Sequence, residues 1–537
     1  MNKLITYLEQ RPWIIYLAAI LLALPALLIN LGLFPLTSDE HIRGLVALEM
    51  QIRDNYTLPT MFGEFYLKKP PLFNWILLGY TSLFGNFSEF TLRLPTVVST
   101  LLYAATIFYF INKHYGPRIA FANAIVFVTC GRMLFWDTML ALIDITFSWV
   151  IFINFMLIYH YFKKGKFWHL FLLSYFLTAI AYMLKGLPSL VFQATTLFIF
   201  FLYKRKFLKL ISWQHVSGIL LLMITVGIYY VFFFSHFPGT FGDVLETLFG
   251  ETTRRTVLRF GWDRTLLHLL AFPFEQFYHF LPWTILAICL IRRKMFTTIM
   301  NEPFIKYNSI IFLANVIVYW TSPEVHPRYL LMFVPLVFSV FLFFYYKYRD
   351  DIRHRIVDIT LIVIAVIGTL GTLSLPFLKE TRDFDLIWLK TTLLFGGLAF
   401  LTILLIKMKS WRIIVFGIIL LMVRIGFNWS VLEARGKLAH EITSRAGAIH
   451  TGQMTKDDKL HIYKGTWVDD FSAFYITRER RKLLTRVHEN FDRDALYLVD
   501  ERFVNDADFE LLYQFPIVWE KKPLHLMKFR NDQSESE

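Results

Sequence analysis

Apolar runs of membrane-spanning length recur from the start of the chain to beyond residue 420, and nothing else in the sequence constrains its fold as strongly. Bounded by charge, Pro or Gly, they number thirteen: residues 13–36, 91–111, 117–136, 138–162, 167–184, 187–203, 215–235, 276–291, 307–321, 328–346, 356–376, 386–406 and 411–429. A helix needs about 20 apolar residues to cross a bilayer's hydrocarbon core, and only a backbone paired within itself is tolerated there. The expectation is an all-α polytopic membrane domain of about 13 transmembrane helices. Composition agrees, with 56% hydrophobic and 18% charged residues over 537 positions. The first run is too long for a signal-peptide core and lacks a small-residue cleavage site, so it is expected to remain as the first span.

Orientation follows from the basic residues. Loops after even-numbered runs carry Lys113 and Arg118, then Lys163, Lys164 and Lys166, then Lys204, Arg205, Lys206 and Lys209; later ones carry Arg292, Arg293 and Lys294, then Lys347 to Arg355, then Lys407 to Arg412. Short loops rich in Lys and Arg face the cytoplasm, and the N-terminus goes with them. Much of the formal charge of +14 is therefore topological, and no nucleic-acid partner is implied. The opposite face receives the 37–90 loop, the Arg132–Asp137 turn, the Lys185-Gly186 turn, the 236–275 segment and the Ser322–Arg328 turn. An odd number of spans puts residues 430–537 there too. Every polar cluster with chemical character thus falls on one side of the membrane.

The chain divides by composition into a membrane domain, 1–429, and a small extracytoplasmic α/β domain, 430–537. In the second, Val431–His450 and Asp470–Leu484 read as helices, and Leu460–Tyr463 and Ala495–Val499 as strands. Neither strand is followed by a Gly-rich nucleotide loop. The final NDQSESE reads as disordered. Cys130 and Cys289 both lie in apolar runs, so neither a disulfide framework nor a Cys-based metal site is expected.

The 37–90 loop, TSDEHIRGLVALEMQIRDNYTLPTMFGEFYLKKPPLFNW over its first 39 positions, is longer and more polar than a simple connection. It sets an acidic pair, Asp39-Glu40, against Lys68-Lys69, with Pro70-Pro71 stiffening the backbone just after. An acid in such a place can cap a helix, or it can take a proton from an attacking hydroxyl. One or two cations opposite can neutralise a phosphate leaving group.

The order of residues is more specific. Asp39, Glu40, Arg43, Glu49, Met50, Pro59, Gly63, Tyr66, Lys69, Pro70, Pro71, Leu72 and Trp75 resemble the first external loop of the GT-C glycosyltransferases, nearest to bacterial aminoarabinose lipid A transferases and protein O-mannosyltransferase-like proteins. The pattern continues with Arg132 and Asp137, with Lys185-Gly186, and with Arg328-Tyr329, along about the first 350 residues. The resemblance implies a membrane enzyme that moves one sugar, with inversion, from a polyprenyl-phosphate carrier to a lipid A, protein or envelope-glycan acceptor outside the inner membrane. It makes Asp39 the general base. It gives Lys69 and Lys68 to the donor phosphate, Tyr66 to the phosphate or sugar, and Arg43 to Glu40 or the phosphate. Glu40, Arg132, Asp137, Lys185, Arg328 and Tyr329 are the further substrate-binding positions.

Alternatives stay open at several points. Arg132 serves either Asp137 or the substrate. Asp144, on the same face of its run as Asp137, is expected to pair with a buried Lys or Arg, because a lone charge in a membrane helix is costly. The 236–275 segment, with Asp243, Glu246, Glu251, Arg254, Arg255, Arg259, Asp263, Arg264 and His268, is either an acceptor or headgroup site or an amphipathic surface helix. His268, Glu324 and His326 offer a possible divalent metal site, although none is expected to be obligatory. A transporter or flippase of lipid-linked sugars is the competing function. It is disfavoured by the absence of a clear repeat and by charges gathered at one face rather than at the midplane.

Overall fold

The computed structural model describes residues 2–253, 257–438, 440–518 and 522–530; Arg254, Arg255 and the 531–537 tail lie outside them. The chain begins with a short amphipathic helix, α1 (Asn2–Gln10), that bends by 88° into α2 (Pro12–Leu28). Helix α3 (Glu40–Ile52), a two-residue-stranded hairpin β1–β2 (Thr60–Met61, Glu64–Phe65) and α4 (Leu72–Phe84) make up the first polar loop and its exit. Then come α5 (Glu89–Tyr115), α6 (Pro117–Thr129), α7 (Gly131–Phe135), α8 (Ile143–Lys163), α9 (Phe167–Lys185), α10 (Pro188–Tyr203) and α11 (Trp213–Phe234). Helices α12 (Phe241–Thr253) and α13 (Val257–His279) follow, then α14 (Met295–Asn301), α15 (Pro303–Trp320), α16 (Val334–Lys347), α17 (Ile352–Gly371), α18 (Ile387–Lys407) and α19 (Arg412–Leu438).

This is a multi-pass membrane protein. Among the described residues, seven helices (α5, α8, α9, α11, α17, α18 and α19) are long and apolar enough to cross a bilayer, and up to nine if the bent pairs α1–α2 and α6–α7 each count as one span. The difference from thirteen has local causes. The 276–291 run is split between the end of α13 and an eight-residue 3-10 helix, Trp283–Leu290. The 307–321 run falls within α15, where Asn308 and Asn315 interrupt the apolar surface and donate to Ser339 and Thr196. The 187–203 and 328–346 runs yield only the 16-residue α10 and the 14-residue α16. Within the 236–275 segment, α12 packs its Val244 into a cluster with Leu58, Tyr182, Tyr229 and Phe233.

The last hundred residues carry α20 (His440–Met454), α21 (Asp470–Arg480) and strands β3 (Leu460–Tyr463), β4 (Thr485–Val487), β5 (Leu496–Asp500), β6 (Phe509–Pro516) and β7 (Pro523–Phe529). They form one sheet in the order β4-β3-β5-β7-β6, parallel across its first three strands and antiparallel across the rest. The sheet region sits on the first polar loop. Leu36 N donates to Tyr475 Oη (3.1 Å), Tyr475 Oη donates to Glu89 (2.9 Å), and Arg445 bonds the same carboxylate (2.8 Å). Gly44 on α3 lies directly under Phe474, where a Cβ would stand 2.8 Å from the ring. That close approach is available only to glycine.

Candidate active site

Four segments bring charge together at one end of the bundle. The first is the entry to α3. Ser38 has a left-handed backbone (φ 56°), and Asp39 occupies the helix N-cap without using its side chain there. The carboxylate instead reaches Arg328, with Nη2 donating to Oδ2 at 3.2 Å, while Arg328 Nη1 donates to Ser38 Oγ at 3.3 Å. Asp39 remains 51% exposed against 7% for Arg328, so the acid is open and its partner lies behind it.

Arg328 also faces Asp144, Nε to Oδ2 3.4 Å, and Asp144 Oδ1 accepts from Lys185 Nζ at 2.5 Å. Lys185 Nζ in turn lies 3.9 Å above the Tyr329 ring, a cation–π contact. The chain Asp39–Arg328–Asp144–Lys185 therefore links the ends of α3, α8 and α9 with the 3-10 turn before α16. Asp144 finds its expected partners, two rather than one, as a buried membrane acid should. Gly186 follows Lys185 with φ 83° and ψ −139°, a region only glycine occupies readily. Pro70 Cδ lies 3.9 Å from where a Cβ of Gly186 would be, which sets the Lys-Pro-Pro segment beside the Lys185 turn. Lys69, half-buried, is close enough for its charge to act on Asp144.

Several expected residues take other roles. Glu40 is fully buried, and both of its oxygens are filled: Oε1 accepts from Arg93 Nε (2.8 Å) and Ala141 N (2.7 Å), Oε2 from Arg93 Nη2 (2.8 Å) and Thr37 N (2.8 Å). Arg93 further donates to the carbonyls of Leu31, Phe34 and Pro35. The geometry corrects the expectation that Glu40 binds substrate and that Arg43 holds it. Glu40 and Arg93 fasten the α2–α3 link to α5 and to the turn before α8. The partner was missed because Arg93 reads in sequence as an ordinary charge at the head of a span. Arg43 is buried and donates to Tyr66 Oη at 2.9 Å. Arg132 pairs with Asp137 (Nη2 to Oδ1 2.8 Å, Nε to Oδ2 3.3 Å), one of its two expected partners. Lys68 is exposed at the cleft mouth. Among the described residues no group of three or more His, Cys, Asp or Glu is placed to hold a metal ion.

One charged residue at this cleft was not anticipated. Asp470 opens α21 and feels the charges of Lys68, Asp39 and Arg43; burial, with Asp469 next to it, pushes its carboxyl up to about 6. Nothing in sequence separates it from an ordinary first-turn acid. Nearby His41 is pushed down to about 4, chiefly by burial, and is neutral at pH 7.

Beside Arg328-Tyr329 lies an apolar cavity of about 600 Å³ walled by α13, α14, α15 and α16, with Phe272, Phe296, Leu313, Trp320, Leu330 and Val337 in its lining. A second cavity, about 670 Å³, lies behind the Glu40–Arg93 pair and is lined by Asn30, Phe34, Thr37, Trp136 and Val431.

Residues 68–230 match the family described as dolichyl-phosphate-mannose-protein mannosyltransferase. The fold is similar to that of ArnT from Cupriavidus metallidurans bound to undecaprenyl phosphate, with TM-score 0.69 and 14% identity over 96% of this chain and 98% of that one. It is also similar to the same protein in the apo state, with TM-score 0.67 and 13% identity over 97% and 98% of the two chains. No curated protein sequence matches significantly. The GT-C resemblance read from the first-loop motif is borne out by the family match and by the fold.

Proposed function

We propose that this chain, a membrane glycosyltransferase of the GT-C type, transfers one sugar from a polyprenyl-phosphate donor to an acceptor outside the inner membrane, with inversion. The acceptor oxygen attacks the anomeric carbon from the face opposite the phosphate. The bond from that carbon to the phosphate oxygen breaks, and polyprenyl phosphate leaves with the electron pair. If the attacking group is a hydroxyl, its proton passes to Asp39. Arg328 behind Asp39 holds the carboxylate in place. Lys69, with Lys185 at the adjoining turn, supplies positive charge for the leaving phosphate. Tyr66, held by Arg43, fixes the Lys-Pro-Pro arm over the cleft. Arg132 and Asp137 brace one wall.

The observation that carries this reading is the continuous Asp39–Arg328–Asp144–Lys185 chain, with its acid end open and Lys69 in range of Asp144. A polyprenyl tail needs an apolar path beside that charge, and the 600 Å³ cavity next to Arg328-Tyr329 suits it. The undecaprenyl phosphate held by the structurally similar ArnT supports a donor of this class. The N-terminus is then cytoplasmic, and the 430–537 domain covers the external cleft. The thirteen-span reading requires the broken and short helices to cross as well. The test is purified protein with synthetic polyprenyl-phosphate sugars: turnover that Asp39→Asn abolishes supports the enzyme, whereas retained lipid binding and flux without turnover would favour the flippase.

A further inference from the structure

The basic loops at the end of the bundle away from Asp39 are of two kinds. Those of the α14–α19 half carry their own acids: Arg292 and Arg353 pair with Asp351 (3.5 and 3.1 Å), Lys347 with Glu302 (3.6 Å), and Arg412 with Asp358. The loops that join α8 to α9 and α10 to α11 carry none. Residues 163–166 and 204–209 hold seven Lys and Arg, and the chain has no Asp or Glu from 145 to 242. Among the described residues none of the seven makes an ion pair. The two loops meet at one ring. Lys206 Nζ lies 5.4 Å from the centre of Phe167 and 5.4 Å from that of Phe162, and Lys209 Nζ lies 5.2 Å from the same Phe167. Two ammonium groups thus converge with no carboxylate between them, a repulsion that an anion would relieve. The second loop is tied in place. Ser212 Oγ donates to Lys209 O (2.6 Å), His215 Nδ1 donates to Leu210 O (2.6 Å), and His215 Nε2 bonds Tyr175 Oη on α9 (2.6 Å).

Large apolar side chains stand bare among these charges. Leu208 is 80%, Ile211 71% and Trp213 78% exposed. They lead into the outward face of α11, where Leu220, Ile224, Ile228 and Val231 recur at helical spacing and are all exposed. Helix α11 is of bilayer length and mostly outside the packed core, so this face meets hydrocarbon. We propose that the surface formed by residues 163–169 and 203–213 binds an anionic phospholipid of the bilayer. The headgroup phosphate sits at Lys206 and Lys209 beside Phe167, and an acyl chain lies along the outward face of α11. A loop that only fixed orientation would need the charge, but neither two lysines converging on one ring nor bare Leu, Ile and Trp beside them. Cations alternating with exposed apolar groups at the end of a span match an amphiphile with a negative head. The surface is separate from the sugar-transfer site and independent of that reading: α8 runs 21 residues from beside Asp144 to Lys163, a rise of about 30 Å.

The test is native mass spectrometry of the full chain in a non-ionic detergent, titrated with dioleoyl phosphatidylglycerol, dioleoyl phosphatidylcholine or inorganic phosphate. The wild type should hold phosphatidylglycerol at least about tenfold more tightly than phosphatidylcholine, and inorganic phosphate at the same concentration should not displace it. Lys206→Gln with Lys209→Gln should bring the two lipids within about twofold of each other. Arg293→Gln with Lys294→Gln, which removes two charges from another loop, should keep the preference. Leu208→Ser with Trp213→Ser should weaken phosphatidylglycerol at least about fivefold. Equal retention of the two lipids by the wild type overturns the assignment, and so does displacement by inorganic phosphate. An equal loss in the 293–294 pair would reduce the surface to a signal of orientation, and undiminished binding in the serine variant would make it a site for a water-borne anion or an acidic protein; either result overturns the assignment too. The wild-type comparison of the two lipids decides the matter even if a variant fails to fold.

Discussion

Adjacent acids at the start of α3 meet opposite fates. Asp39 and Glu40 are indistinguishable as a sequence pair, yet one is open and the other sealed by four hydrogen bonds. Breaking a buried ion pair by removing one partner costs about 3–5 kcal/mol. Glu40→Gln and Arg93→Met are therefore expected to lower the thermal midpoint strongly and to reduce yield, whereas Asp39→Asn keeps the wild-type melting curve; thermal unfolding monitored by tryptophan fluorescence separates the three. Asp470 behaves in the opposite sense. Its folded carboxyl stands near 6 against an ordinary 3.8, so its contribution to stability is intact below about pH 4 and is lost as pH rises through about 6. Asp470→Asn should then match the wild type at pH 4 and exceed it by about 1–2 kcal/mol at pH 8, after discounting for solvent screening. A variant less stable than wild type at pH 8 would contradict that origin of the shift. The motif located the first-loop residues and the Arg328-Tyr329 and Lys185 positions. It did not give Arg93 or Asp470, because the fates of these charges depend on partners 53 positions away for Arg93 and on a separate segment of chain for Asp470.

At the scale of elements, the contact between α3 and α21 is the joint between the membrane bundle and the C-terminal sheet region. It tolerates no side chain at Gly44, where a Cβ would meet the Phe474 ring at 2.8 Å. Gly44→Val should push the helices apart at a cost of about 1–3 kcal/mol. Proteolysis of the C-terminal region should then accelerate while undecaprenyl phosphate binding persists; unchanged protection from protease would count against the joint. Sequence pattern identified β3 and β5, whose buried Leu-His-Ile-Tyr and Leu-Tyr-Leu-Val cores are short apolar runs. It missed β4, β6 and β7. β4 has only three residues, β6 mixes exposed and buried positions, and prolines stand at the end of β6 and the start of β7. The thirteen apolar runs outnumber the seven to nine long apolar helices among the described residues for a related reason. Apolar runs measure composition, whereas Pro282 stands at the start of the 3-10 helix that follows α13, and Asn308 and Asn315 make the 18-residue α15 more polar without breaking it.

For the whole molecule, all the chemistry-bearing turns gather at one end of the bundle, as the alternation of basic loops implied. The apolar cavity beside them was not legible in the sequence, since Phe and Leu facing lipid and Phe and Leu lining a groove read alike. Filling it with Val337→Trp should raise the half-saturating concentration of a long-chain polyprenyl-phosphate donor about tenfold and leave a short-chain donor within about twofold, a discrimination worth about 1.4 kcal/mol; equal effects on both would remove the cavity from the donor path.

On the proposed mechanism, the open acid at the start of α3 and the lysine of the Lys-Pro-Pro arm carry out sugar transfer. The most direct measurement is release of polyprenyl phosphate by the purified chain given synthetic polyprenyl-phosphate sugars, with wild type beside Asp39→Asn and Lys69→Ala. Transfer by this pair of residues requires release by the wild type and a loss of at least about 100-fold in both variants, each still folded. Donor binding without turnover in the wild type, unchanged in the variants, would contradict it.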